Sequence, residues 1–183
     1  GVSIFFALFF TNTEPSFADM QRIDGFSIDR TEVTVGQFQK FVSATGYITA
    51  AERNGGGMVY DAGWKKKDGW IWSSPFGSEA KLNEPVVHVT FDDARAYCSW
   101  MGKRLPRDKE WTKAAYTELR TNPPLPFVTG VTYPYPTGYT PKGANCLKDC
   151  SQTPAIDNTA KLSRGVGHAL AGKTKVGVNG LFD

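Results

Sequence analysis

Three cysteines, two histidines and a few paired carboxylates are the side chains of this 183-residue chain that could bind metal, move protons or exchange disulfides. Cys146 and Cys150 stand four residues apart in a Gly/Pro-rich stretch, which reads as a local disulfide, with a redox-active pair as the alternative. Cys98 is left over, and an odd cysteine in an exported chain means a free thiol or a partner elsewhere. Zinc has no support, since neither CxxC nor HxxxH spacing occurs. A non-haem iron site asks for two histidines and a carboxylate. Here His88 lies just ahead of a helix, where a packed or hydrogen-bonded histidine is expected, and His168 lies in a Gly-rich loop, where a surface role is expected. Asp92 and Asp93 could form an acid–base pair, but at the start of a helix they serve as N-terminal caps. Trp64, Trp70 and Trp72 flank the only basic run, Lys65-Lys66-Lys67. They form either an aromatic-plus-basic binding surface or a solvated loop over a buried Trp cluster. Gly55-Gly56-Gly57 is no phosphate loop, because no GK[ST] follows it.

Few regular elements are available to position these groups. Phe26-Ser27-Ile28-Asp29 alternates apolar and polar residues, as a short strand does. Thr34 opens a helix with Gln37 in the capping-box position, Val35, Phe38, Phe41 and Val42 form its apolar stripe, and Gly46 ends it. Residues 47–84 hold no long period and read as a structured loop with short strands. A second helix begins at Thr90 with Asp93 as its box partner, turns Ala94, Tyr97, Cys98 and Met101 inward, and stops at Gly102. A third runs from about Asp108 through Trp111 and Ala114 to Leu119. The Pro-, Gly- and Tyr-rich stretch 122–145 is expected to be irregular and fixed by aromatic packing.

The composition is that of one domain, 40% hydrophobic and 21% charged. A net charge of +3 is too small for a nucleic-acid footprint. Val2 to Phe10 is apolar but too short to span a bilayer, and Ser16-Phe17-Ala18 places small residues at a cleavage site. Residues 1–18 therefore read as the remnant of a signal peptide, leaving 19–183 as the domain. Removing Glu14 with them takes the charge from +3 to +4. A periplasmic or secreted location follows, with no membrane association after cleavage.

Four segments, in order, resemble the formylglycine-generating-enzyme (sulfatase-modifying-factor) family. They are Phe26 to Thr34 (FSIDRTEVT), Glu84 to Ala94 (EPVVHVTFDDA), Ala96 to Trp111 with its AYCSW, GKRLP and EW motifs, and Asn179 to Asp183 (NGLFD). In these motifs Arg104 and Glu110 are candidates for a buried ion pair, and Trp100 and Trp111 are expected in the core. Arg107 stands where the family has Thr or Ser, so Asp108 is expected to cap the third helix instead.

The resemblance implies an α+β fold related to C-type lectins, poor in regular secondary structure and incomplete over this chain. It implies structural calcium. Asn145 and Cys146 match one site, which His168 would complete where the family has Asp. Histidine suits calcium poorly, and Asp157 is the substitute. Asp183 begins a second site. The family's enzymes use two C-terminal cysteines to bind copper, activate oxygen and oxidise a cysteine of a sulfatase, or another protein or peptide substrate, to formylglycine. Cys98 matches neither copper cysteine; it matches a structural cysteine whose partner lies near the family's C-terminus. The chain by itself is therefore expected to be inactive. The alternatives are a non-catalytic lectin-like binding module and a related non-haem iron oxidoreductase.

Overall fold

The computed structural model describes residues 19–60, 62–144 and 170–182. Two short hairpins and four helices make a mixed α+β arrangement. Strands β1 (Met20–Ile23) and β2 (Phe26–Asp29) pair antiparallel, with Met20 opposite Asp29 and Ile23 opposite Phe26. Helix α1 (Val35–Thr45) follows. Its capping box closes both ways: the Thr34 hydroxyl accepts the Gln37 N–H at 3.2 Å, and Gln37 Oε1 accepts the Thr34 N–H at 2.8 Å. Gly46, left-handed at φ 67°, terminates it.

The stretch without periodicity holds a four-residue helix, α2 (Ala50–Arg53), opened by a Thr49–Glu52 capping box. A second hairpin follows, β3 (Gly56–Tyr60) with β4 (Trp64–Asp68). The triple glycine is the hairpin's foot. A Cβ on Gly56 would lie 2.1 Å from the Lys67 carbonyl oxygen, and one on Gly57 would lie 2.2 Å from His88 Nδ1. Helices α3 (Phe91–Trp100) and α4 (Asp108–Tyr116) follow, and the described residues also include a 3₁₀ turn at Val178–Gly180.

The main core gathers Val35, Phe38 and Phe41 of α1, Trp72, and Tyr97 and Met101 of the α3 segment. Phe38 is its hub. Its ring stacks on Tyr97 at 5.7 Å and meets Phe41 and Trp72 at 5.4 Å each. A smaller cluster of Phe127, Tyr133 and Val178 pins the irregular stretch, as its aromatic content implies. There the Val128 N–H donates to the Tyr133 hydroxyl at 2.8 Å.

Three expectations are corrected. Trp100 and Trp111 do not fill the core; they are 36% and 49% exposed, because their helices turn Tyr97 and Ala114 inward instead. The Arg104–Glu110 pair forms, but Arg104 is more than half exposed, so the pair is not buried. Asp108 does not cap α4: Arg107 holds the N-cap position without a side-chain cap bond, and only the reciprocal half of a capping box forms, the Glu110 carboxylate accepting the Arg107 N–H at 2.8 Å.

Candidate functional site

A groove of about 570 Å³ opens between β2 and residues 30–33, the end of α3, the turn 102–106, α4 and the segment 177–182. Three of the four motif-bearing stretches of sequence meet in its walls. Phe26, Ile28, Val33, Leu105, Trp111 and Leu181 give it an apolar lining. This explains the half-exposed Trp111, whose ring belongs to a wall and not to the core.

The groove's charges are largely matched. Lys103 Nζ donates to Asp29 at 2.7 Å from a largely buried position. Arg104 grips Glu110 in a bidentate fork, both bonds 2.7 Å. That fork, with the Arg107 N–H, pulls the Glu110 carboxyl down to about 2. Arg30 Nε donates to the Gly180 carbonyl at 3.0 Å, and its guanidinium lies over the Phe182 ring. Glu32 is among the lining residues, and its Oε2 is buried without a hydrogen-bond partner. A buried acceptor left unmet costs about 1–3 kcal/mol.

Tyr97 and Cys98 also line the groove. Burial, reinforced by the Asp29 charge, pushes the Tyr97 hydroxyl up to about 12. Burial also raises the Cys98 thiol, with Asp29 adding to the effect and Lys103 opposing it. Cys98 is thus a free, half-buried, protonated thiol at neutral pH, poorly disposed to nucleophilic attack.

The groove wall 177–182 is latched from both sides. Asn179 is fully buried and left-handed at φ 56°. Its side-chain amide donates to the Ala114 and Thr117 carbonyls at 2.8 and 2.7 Å, closing the C-terminal end of α4 from sixty residues away. Its Oδ1 accepts the Leu119 N–H at 2.7 Å, and its backbone N–H donates to Glu118 Oε2 at 3.0 Å. Burial alone would raise the fully buried Glu118, but donors from Arg120 and Asn179 outweigh it and lower its pKa. The sequence motif at 179–183 marks the place, but nothing in it points to Glu118 as its partner.

The other sequence-derived candidates fare differently. Asn145, Cys146, Cys150, Asp157, His168 and Asp183 lie outside the described residues. Among the described residues, no group of three His, Cys, Asp or Glu side chains could hold a metal ion. The three tryptophans do not form one surface. Trp72 is buried in the core, Trp70 packs against Phe76 and His88, and only Trp64 of the three is exposed, because it opens β4 at the tip of the β3–β4 hairpin. His88 is packed as expected, its Nε2 bonding the Pro75 carbonyl at 3.0 Å. Asp93 acts as a cap and more: it closes its own box with Thr90, accepts the Ala50 N–H of α2, and accepts the Tyr47 hydroxyl at 2.9 Å.

Residues 9–173 match the family model of the sulfatase-modifying factor enzyme 1-like domain, and the chain belongs to that family. Among curated relatives it is similar to the formylglycine-generating enzyme of Mus musculus, 37% identical over 111 residues, covering 49% of this chain and 30% of the mouse protein. It is similar to the formylglycine-generating enzyme of Thermomonospora curvata, 40% identical over 115 residues, covering 51% of this chain and 38% of that protein. The inactive C-alpha-formylglycine-generating enzyme 2 of Bos taurus is 33% identical over 142 residues, covering 66% of this chain and 44% of the bovine protein. The matched stretch thus spans less than half the length of each of these relatives.

Proposed function

We propose that this chain belongs to an exported formylglycine-generating-enzyme-like protein, periplasmic or secreted, whose whole form oxidises a cysteine of a sulfatase-type polypeptide to formylglycine. Its domain, 19–183, adopts the C-type-lectin-like form of the family. Copper, bound outside the described residues, supplies the oxygen chemistry. Structural calcium is held by Asn145, Cys146 and Asp157 or His168, and by Asp183.

The observation that carries this reading is the groove. Its size and apolar walls suit an extended polypeptide. In that reading the groove binds and orients. Asp29 holds Lys103, Glu110 holds Arg104, and Asn179 holds the far wall, so the cleft is preorganised. Cys98 stays protonated and leaves the chemistry to other groups.

A second reading, a non-catalytic binding module, is motivated by the similarity to the inactive bovine relative, 33% identical over 66% of this chain. The two separate on one assay: oxygen uptake and aldehyde formation with a cysteine peptide, measured on the full-length copper-loaded protein. Uptake coupled to aldehyde supports oxidation. Peptide binding without uptake supports the binding module and overturns the oxidase.

A further inference from the structure

Tyr97 is buried, yet its hydroxyl is unspent. The residue is 5% exposed, and its ring is walled in by Phe38, Phe41 and Trp100. A tyrosine buried to this depth ordinarily gives its hydroxyl a hydrogen-bond partner. Tyr133 does so, its hydroxyl accepting the Val128 N–H at 2.8 Å, and Tyr47 donates to Asp93 at 2.9 Å. No hydrogen bond from a described residue reaches the Tyr97 hydroxyl. Nor is that oxygen sealed off. Among the described residues, the sealed side-chain atoms without a partner are Glu32 Oε2 and Trp72 Nε1.

Two observations turn this hydroxyl toward the groove. Tyr97 is one of its lining residues. The hydroxyl also feels the charge of Asp29, which stands on the β2 wall of the same groove. Two other hydroxyls of the lining are already engaged: Thr31 donates to the Glu32 carbonyl at 3.1 Å, and Thr137 to the Thr140 carbonyl at 2.6 Å. Burial, with the Asp29 charge added, keeps the Tyr97 hydroxyl protonated at neutral pH, so it stands as a donor. The nearby carboxylate disfavours an anionic acceptor, and a neutral carbonyl fits better. An extended polypeptide carries such a carbonyl at every residue, and its side chains suit the walls formed by Ile28, Leu105, Trp111 and Leu181.

We propose that Tyr97 is a binding residue of the groove, its hydroxyl donating to a main-chain carbonyl of the bound polypeptide; this rests on the groove being the polypeptide site. The test is fluorescence anisotropy on the full-length protein with a labelled peptide of Ser, Leu and Ala around one cysteine. Tyr97→Phe removes the donor and keeps the ring that stacks on Phe38. It is expected to leave the melting temperature of the free protein unchanged, because no internal hydrogen bond is lost. It is expected to weaken peptide binding about two- to tenfold, the worth of one neutral hydrogen bond. Trp111→Ala, in the groove wall, is expected to weaken binding as well. Exchanging the peptide carbonyls one at a time for thiocarbonyls, which are poorer acceptors, finds the recipient. One position should weaken binding to the parent protein and have no effect with Tyr97→Phe. Binding that responds to Trp111→Ala but not to Tyr97→Phe overturns the proposal and leaves the groove reading standing. No binding, or binding indifferent to Trp111→Ala, overturns both. A lower melting temperature for Tyr97→Phe would show that the hydroxyl serves the fold, and equal thiocarbonyl effects in both proteins would show that it meets no carbonyl; either result overturns the proposal.

Discussion

Asp93 and Glu118, among the described residues, are buried to zero exposure, and they are stabilised by different means. Asp93 faces no cation in its hydrogen-bonded shell. It is held by neutral donors: the Thr90 N–H and hydroxyl, the Ala50 N–H and the Tyr47 hydroxyl. Two of these donors mark the N-termini of α3 and α2, so the dipoles of both helices converge on one charge. Glu118 is held by a guanidinium, with Arg120 Nε and Nη2 at 2.8 and 2.7 Å, and by the Arg120 and Asn179 N–H groups. Asp93 ties together helices that largely form from local signals. Glu118 ties a chain segment sixty-one residues away whose regular structure is one short 3₁₀ turn. The same side-chain chemistry therefore reinforces order in one region and creates it in the other.

Truncating each carboxylate gives the sharpest contrast. Glu118→Ala leaves a largely buried Arg120 and the Asn179 N–H unmet, and is expected to cost about 3–5 kcal/mol. In hydrogen exchange, the loss should appear first at residues 177–182. Asp93→Ala removes a cap and strands the Ala50 N–H and Tyr47 hydroxyl, with an expected loss of about 2–3 kcal/mol. That loss should be spread over α2 and the start of α3. If both variants loosen the same residues equally, the distinction between the two regions fails.

Acid probes the same contrast without mutation. At Asp93, burial works to raise the carboxyl, but the Thr90, Tyr47 and Ala50 donors prevail and it titrates below 3.8. Glu118, by the same balance, titrates below 4.5. A depressed carboxylate contributes stability that is complete above its unfolded pKa and is lost as pH falls through the folded value. The loss for Glu118 thus begins as pH drops below about 4.5, and that for Asp93 below about 3.8. Amide exchange at 177–182 should accelerate at a higher pH than exchange in α2 and α3; the reverse order would sink the comparison. The smallest effect is Tyr47→Phe, which deletes one hydrogen bond to Asp93 and should cost about 1 kcal/mol in chemical denaturation.

The same difference sets what could be read from the sequence. The boxes at Thr34 and Thr90 are legible because donor and acceptor sit three residues apart beside an apolar stripe. Thr49 and Glu52 have the same spacing, but a four-residue helix has no period to announce it. Strand β1 is too short and mixed to stand out until Phe26–Asp29 pairs with it. The α4 stripe shows that Trp111 leans to one side, but not that this side faces a groove instead of the core. The link between Asn179 and Glu118 left no trace, because no local rule joins residues so far apart. Family resemblance supplied the motif at 179–183; the hydrogen bonds explain what its asparagine does.

The foot of the β3–β4 hairpin has a further consequence. Gly57 and the His88 ring occupy space that neither can share, and His88 itself holds a left-handed φ of 57°. Sequence change at either position must wait for change at the other, so drift there is slow and correlated. Beyond the foot, Met58, Tyr60 and Trp64 are largely exposed and are released from that constraint. The hairpin is thus a ready graft point: its tip can be exchanged for other sequences, by natural variation or in the laboratory, with the mounting left as it is.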